Sequence, residues 1–193
     1  MKKTIKRAAS ALIFCCLLFI VSSCGVLTPP SETEVKEVLT QLLPRSYEAT
    51  YIVYGPGIEI DENFEIDESW TISHYAPVAS SYKYQTIEDV KSLIFAAFSA
   101  DYGEEMCEYA FAGNETLMSR YSESGGKLTM DVTKKPLDMA EEIFIDSAKV
   151  VSGSAYACLV EIEYIVEGDT ERSTMEVRLV KENGRWLFDG PTY

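Results

Sequence analysis

The densest group of side chains that could do chemistry is a run of six carboxylates within positions 59–68: Glu59, Asp61, Glu62, Glu65, Asp67 and Glu68. Four oxygen-bearing residues spaced two apart, from Asp61 to Asp67, could supply the ligands of a calcium loop. However, Ile66 stands where an EF-hand loop requires glycine, and Ile72 stands where it requires a bidentate glutamate. Apolar residues alternate with these acids, so the pattern instead predicts the solvent-facing side of a β-hairpin without a metal.

Thiol and imidazole groups are few. If the three cysteines near the N-terminus are set aside, Cys107 and Cys158 remain, either joined in one disulfide or kept as two buried free thiols. His74 is the only histidine, and its strand-like surroundings indicate a structural role. There is no CxxC pair, GxSxG or HExxH motif, and Cys107 and His74 lack a sequence context that would pair them. We therefore expect no catalytic residues, no metal and no cofactor.

Cys24 follows a segment that is typical of secretory signals. Four cations precede the uncharged run 8–21, which is short for a membrane span of about 20 apolar residues, and Ser22 and Ser23 lead into the cysteine. Val21-Ser22-Ser23-Cys24 resembles the lipobox of bacterial lipoproteins, which implies acylation of the Cys24 sulfur and cleavage before it. The alternative is an ordinary signal peptide in which Cys24 is incidental.

The lipobox resemblance divides the chain into three parts. We expect residues 1–23 to be a signal peptide, 24–34 a lipidated tether and 35–193 one α+β domain. Two acyl chains give stable anchoring without a membrane-spanning helix. The mature protein is then exported and anchored by palmitate or a similar lipid to the outer face of a bacterial cytoplasmic membrane.

The chain is strongly acidic, with 31 Asp and Glu against 17 Lys and Arg and a formal net charge of −14. Removal of residues 1–23 takes away four cations and no anions, so the mature part carries −18. Such a charge repels nucleic acid and attracts partners with a basic surface. Acidity alone would also keep an exported domain soluble, so both explanations stay open.

The sequence predicts three helices. Ser31 and Glu34 form a capping box, and an apolar stripe over 35–43 then predicts a short helix that ends at Pro44. A second helix is predicted after the cap residue Thr86. A third one is predicted after Ser99 or Asp101, with Gly113 as its stop.

Patterns of period two predict strands in the rest of the chain. We expect strand-like segments on both sides of the turn Gly55-Pro56-Gly57, and an antiparallel meander in the last third with turns at 125–126, 152–154 and 183–184. Asn183-Gly184 is the strongest hairpin signal. These patterns predict an α+β fold with an N-terminal helix, a β-hairpin region and helices packed on one face of a curved antiparallel β-meander.

Alternate side chains of the strand at 155–166 face the inner side of the sheet, so a ligand-binding function is an alternative. Its side chains could line the concave face of the sheet and hold a small apolar ligand or a wall fragment, or they could simply fill the core: Tyr156, Cys158, Ile162 and Tyr164.

Four stretches of the chain resemble the IseA family of DL-endopeptidase inhibitors from Gram-positive cell walls: Tyr75-Ala76-Pro77-Val78, residues 84–99, Gly126-Lys127-Leu128 and Asn183-Gly184-Arg185-Trp186. The resemblance covers roughly 47–193 and implies a cystatin-like or nuclear-transport-factor-like α+β fold. It also implies that the protein binds NlpC-type wall hydrolases and obstructs their active site. Such a contact would use the six acids together with aromatic anchors. The candidate anchors are Tyr75, Tyr82 and Tyr84.

Overall fold

The computed structural model describes residues 28–67, 69, 72–113, 118–137, 139–166 and 168–192. The predicted signal peptide, Cys24 and Glu68 lie outside the described residues. Within these ranges the protein is α+β, as the sequence predicts, with three α-helices, a π-helical turn and two antiparallel sheets of three and four strands. The sheets do not close into a barrel.

Helix α1 (Glu32–Val53) is longer than the sequence predicts, because it continues through Pro44. The Ser31 hydroxyl caps its first turn by accepting from the backbone N–H of Glu34. Pro44 lacks the N–H that would donate one turn back, but Ile52 and Val53 beyond it are fully buried. Burial of this second half therefore outweighs the local cost of proline, and the predictions of a helix end at Pro44 and of strand-like structure at 51–54 are wrong.

Helices α2 (Ile87–Ala97) and α3 (Ala100–Cys107) begin where their cap residues predict. Thr86 and Asp89 form a complete capping box, and the Ser99 hydroxyl accepts from the backbone N–H of Tyr102. A π-helical turn (Glu108–Ala112) extends α3, and Gly113 ends it with a φ of 62°. The predicted second and third helices are confirmed.

The three-stranded sheet joins β1 (Tyr75–Pro77), β2 (Tyr121–Ser124) and β3 (Lys127–Asp131) in the order β1-β3-β2. The turn at 125–126 between β2 and β3 is as predicted, whereas strand β2 is not part of the sequence prediction.

The acidic segment does not form the predicted hairpin. Residues 58–67 run as an irregular segment with a single bridge, Ile60 to Val78. The Asp61 carboxylate accepts hydrogen bonds from the backbone N–H and the side-chain amide of Asn63, both at 2.9 Å. This local turn competes with the strand that the alternating pattern favours.

The four-stranded sheet is a meander in chain order: β4 (Ala140–Gly153), β5 (Ala157–Val166), β6 (Ser173–Glu182) and β7 (Arg185–Phe188). This confirms the predicted meander for its later strands, but the strand after the turn at 125–126 pairs in the three-stranded sheet instead, so its place in the meander was wrong. Asn183 and Gly184 have positive φ values of 50° and 80°, which the β6–β7 turn requires.

The main core lies where helix α1 contacts α2, β4 and β7. Phe98 and Phe188, whose ring centroids are 6.1 Å apart, join the end of α2 to the last strand. The backbone N–H of Ser99 donates to the Phe188 carbonyl at 2.8 Å and fixes this junction. Within the described ranges, no helix is both long and apolar enough to cross a membrane.

Candidate functional site

The acid loop, defined here as residues 59–67, is held against the chain that follows β1. The backbone N–H of Asp61 donates to the Pro77 carbonyl, and the N–H of Ala79 donates to the Glu59 carbonyl, both at 2.9 Å. These two bonds fix the loop's backbone and leave most of its carboxylates in solvent. Four of them are exposed and Asp61 is half-buried: Glu59, Asp61, Glu62, Glu65 and Asp67.

A cleft of about 260 Å³ separates the acid loop from the turn at 79–81. Its walls include three carboxylates and two hydroxyls: Glu59, Asp61, Glu62, Ser80 and Ser81. The hydrogen bonds from the backbone and the side chain of Asn63 lower the pKa of Asp61, so this carboxylate is charged at neutral pH. The cleft therefore suits a cationic group.

A metal is a poor candidate for this cleft. In the part of the chain that the structure describes, no group of three or more His, Cys, Asp or Glu side chains is placed to hold a metal ion. The chemistry that the acid loop offers is attraction of a basic side chain from a partner.

Two of the three predicted tyrosines lie together in the segment between β1 and α2. The rings of Tyr82 and Tyr84 are 6.1 Å apart at an angle of 55°. Lys83 forms an ion pair with Glu48 of helix α1, and its ammonium group lies 4.9 Å from the centroid of the Tyr84 ring. This ion pair fastens the tyrosine segment to α1.

Helix α1 adds two tyrosines that the sequence analysis missed. Tyr47 and Tyr51 are four residues apart, their rings are 6.2 Å from each other, and Tyr47 is 47% exposed. A helix predicted to continue beyond Pro44 would have placed both tyrosines on one face, since residues at i and i+4 share a helix face. We call Tyr47, Tyr51, Tyr82 and Tyr84 the tyrosine cluster.

The acid loop and the tyrosine cluster are neighbours. The backbone N–H of Tyr82 donates to the Ala79 carbonyl at 3.0 Å, and the N–H of Ala79 in turn donates to the Glu59 carbonyl. Burial and the negative charge of Glu48 raise the pKa of Tyr82. Glu59 belongs to the acid loop and Tyr82 to the cluster, so these bonds place the two features side by side. The structure thus places two of the predicted tyrosines, Tyr82 and Tyr84, next to the acid loop.

Tyr75 lies apart from the tyrosine cluster. It belongs to β1, and its hydroxyl donates to the Ser119 carbonyl at 2.6 Å. Together with Phe64 and Pro77 it lines a hollow of about 500 Å³ on the three-stranded sheet. Tyr75 shares this hollow with Phe64 of the acid loop, and its half-buried ring is held by the hydrogen bond to Ser119.

The two remaining cysteines are free thiols, so the disulfide between Cys107 and Cys158 is not formed. Cys107 is half-buried in α3 and Cys158 is 2% exposed in β5. Burial raises the pKa of both thiols, that of Cys158 to about 11. Both are protonated at neutral pH and therefore poor nucleophiles.

The side chains at 155–166 that would line a ligand pocket give little support to the alternative function. Cys158 and Ile162 are buried members of the main core, and Tyr156 is 57% exposed. Cys158 and Ile162 therefore fill the core, which is one of the two alternatives that the sequence allows.

Comparison with known proteins finds no protein-family model that matches the chain. It also finds no curated protein with significant similarity to it. The resemblance to the IseA family therefore stays a prediction from the residues that carry it.

Proposed function

We propose that the protein is a lipid-anchored cell-envelope protein that inhibits NlpC-type DL-endopeptidases and so restrains peptidoglycan hydrolysis. The observation that carries the proposal is the pair of backbone hydrogen bonds that runs from Glu59 through Ala79 to Tyr82 and places the acid loop beside the segment of Tyr82 and Tyr84. The ion pair of Lys83 with Glu48 fastens that segment to the helix that carries the exposed Tyr47.

The two parts of this surface would act at different stages of binding. The acids of the loop, led by Glu59 and Glu62, would attract a basic partner and speed its association. Tyrosines supply large contact area at low cost in side-chain entropy, and they are enriched among the residues that dominate binding energy. The ion pair of Lys83 with Glu48 holds two cluster segments together before a partner arrives, which reduces the ordering cost further.

The anchor would limit which enzymes are reached. Residues 25–31 separate Cys24 from the start of helix α1 at Glu32. Seven residues span at most about 25 Å when fully extended. A chain acylated at Cys24 would hold its domain within this distance of the membrane, so the proposed targets are hydrolases that work close to the membrane surface.

Binding kinetics between the full-length chain and a purified NlpC-type DL-endopeptidase test the proposal. The acid-loop variant, Glu59→Gln with Asp61→Asn and Glu62→Gln, should associate about tenfold more slowly at low salt and lose its salt dependence. Tyr84→Ala should mainly speed dissociation. Tyr156→Ala is the matched control. It removes an exposed tyrosine just before β5, outside the tyrosine cluster, and should bind like the parent.

A further inference from the structure

We infer that the protein has a second binding site, for an oxyanion carried on a short apolar body. The site is a cleft of about 280 Å³ between helix α1, the end of α2 and the β6–β7 hairpin. We call it the arginine cleft. Two guanidinium groups, an amide and an indole line it together with two buried leucines: Arg45, Arg185, Gln41, Trp186, Leu42 and Leu187.

The two arginines of the cleft have no anionic partner among the residues that the structure describes. Among the described residues, neither Arg45 nor Arg185 forms an ion pair or a side-chain hydrogen bond. Two like charges at one cleft repel each other, and an anion placed between them would relieve that repulsion.

The carboxylates that could neutralise this cleft have other partners. Glu182 lies opposite Arg185 in the β6–β7 ladder, but its two oxygens accept from the backbone N–H of Ala100, at 3.2 and 3.3 Å. Glu34 accepts from the indole N–H of Trp186 at 3.4 Å. Both acids keep their negative charge, but neither forms an ion pair with Arg45 or Arg185, so the guanidinium groups stay open to a ligand.

The walls of the cleft also indicate the size and polarity of the part of the ligand that is not the oxyanion. Leu42 and Leu187 are only 6% and 4% exposed, so the apolar surface beside the charges comes mainly from the half-buried Val38 and Trp186. The ammonium of Lys181 lies 5.2 Å from the Trp186 ring centroid, which adds a third cation near the indole. Because the cleft is slightly smaller than the roughly 300–1,000 Å³ of common ligand sites, the ligand must be small.

Guanidinium groups bind carboxylate and phosphate in the same forked geometry. The free carboxylate of a short peptide and a phosphate ester are therefore two sources of the same chemistry. The arginine cleft is distinct from the proposed inhibitory surface, because Arg45 and Tyr47 lie about 160° apart around the axis of α1. The two sites can be tested separately.

Tryptophan fluorescence of the full-length chain in a non-ionic detergent tests the inference. The chain has two tryptophans, so Trp70→Phe leaves Trp186, in the wall of the cleft, as the single reporter. Hexanoate and hexyl phosphate serve as the two anionic probes, with neutral hexanamide as the uncharged control at equal ionic strength. We expect saturable changes with at least one anion at a Kd on the order of 1 mM, and the tighter of the two identifies the source.

Charge variants complete the test. Arg45→Gln with Arg185→Gln should weaken anion binding at least about tenfold, while Lys135→Gln with Lys149→Gln removes the same charge from other exposed positions and should leave it unchanged. Circular dichroism confirms that the exposed arginine substitutions leave the fold intact. The inference is overturned if neither anion gives a saturable change, if hexanamide binds equally well, or if the arginine variant binds like the parent.

Discussion

The guanidinium of Arg120 donates from Nη2 to the Gly55 carbonyl oxygen at 2.6 Å, just beyond the end of helix α1. Its Nε donates to the Ile52 carbonyl at 3.2 Å, and the Tyr121 hydroxyl donates to the same oxygen at 2.9 Å. The last carbonyls of a helix have no partners within it, and they form the negative end of its dipole. A buried cation therefore closes the helix that carries Tyr47 and Tyr51.

Replacement of Arg120 should destabilise the whole domain. Arg120 is 1% exposed, and Arg120→Met would leave the Gly55 carbonyl buried without its charged donor. We expect the free energy of unfolding to fall by about 3 kcal/mol in urea denaturation. Tyr121→Phe removes one neutral donor from Ile52 and should cost about 1 kcal/mol. Equal effects of the two substitutions would show that the positive charge at the helix end contributes nothing.

Gly57, just before the acid loop, should tolerate no side chain. Its φ is +95°, and an added Cβ would contact Met130 Sδ and lie 2.8 Å from Arg120 Nη2. Gly57→Ala should lower the free energy of unfolding by about 3 kcal/mol, by combining backbone strain with overpacking. Gly168→Ala is the matched control, since Gly168 has a similar φ of +88° and open space around it. Its cost should be near 1 kcal/mol, and an equally small loss for Gly57→Ala would contradict the packing described at this position.

Alkaline pH should destabilise the protein through Cys158. Its pKa rises from 9.0 to about 11 on folding, so the unfolded chain releases this proton at lower pH than the folded protein does. The stabilisation is complete below pH 9 and is lost as the pH rises to about 11. Between pH 9 and pH 10 the free energy of unfolding should fall by about 1 kcal/mol more than in Cys158→Ala. Parallel curves for the two proteins would refute the assignment.

Acylation at Cys24 is open to a direct test. A bacterium expressing the full-length chain and fed an alkyne analogue of palmitate should label the protein, and the protein should fractionate with membranes. Cys24→Ser should lose the label and the membrane association, because one thiol carries the proposed modification. Cys107→Ser is the matched control and should keep both. Label retained in Cys24→Ser would exclude the lipobox interpretation.

Local signals of the sequence predicted the second half of the fold well. Thr86, Ser99 and Gly113 mark helix ends through backbone hydrogen bonds that depend on a few neighbouring residues. Asn183-Gly184 marks the last hairpin for the same reason, because its positive φ values are a local property. The order of the meander then follows from short connections.

The errors occurred where tertiary contacts override local preference. Pro44 is a helix breaker by itself, and only the burial of Ile52 and Val53 explains why α1 continues. The acids after Gly57 alternate like a strand, but the turn at Asp61 keeps them in a loop. Because the helix end was misplaced, Tyr47 and Tyr51 were not recognised as part of the candidate surface. The arginine cleft depends on α1 meeting a hairpin some 140 residues later, which no local pattern reveals.

The most direct test of the proposed function is a titration of wall hydrolysis. The rate at which a purified NlpC-type DL-endopeptidase cleaves peptidoglycan is measured against increasing full-length chain, the acid-loop variant and a control with three exposed acids replaced elsewhere, Asp169→Asn, Glu171→Gln and Glu176→Gln. We expect inhibition at micromolar concentration by the parent and the control, and about tenfold weaker inhibition by the acid-loop variant, which corresponds to about 1.4 kcal/mol of binding free energy. Undiminished hydrolysis at these concentrations, or equal inhibition by all three proteins, would contradict the inhibitory role of this surface.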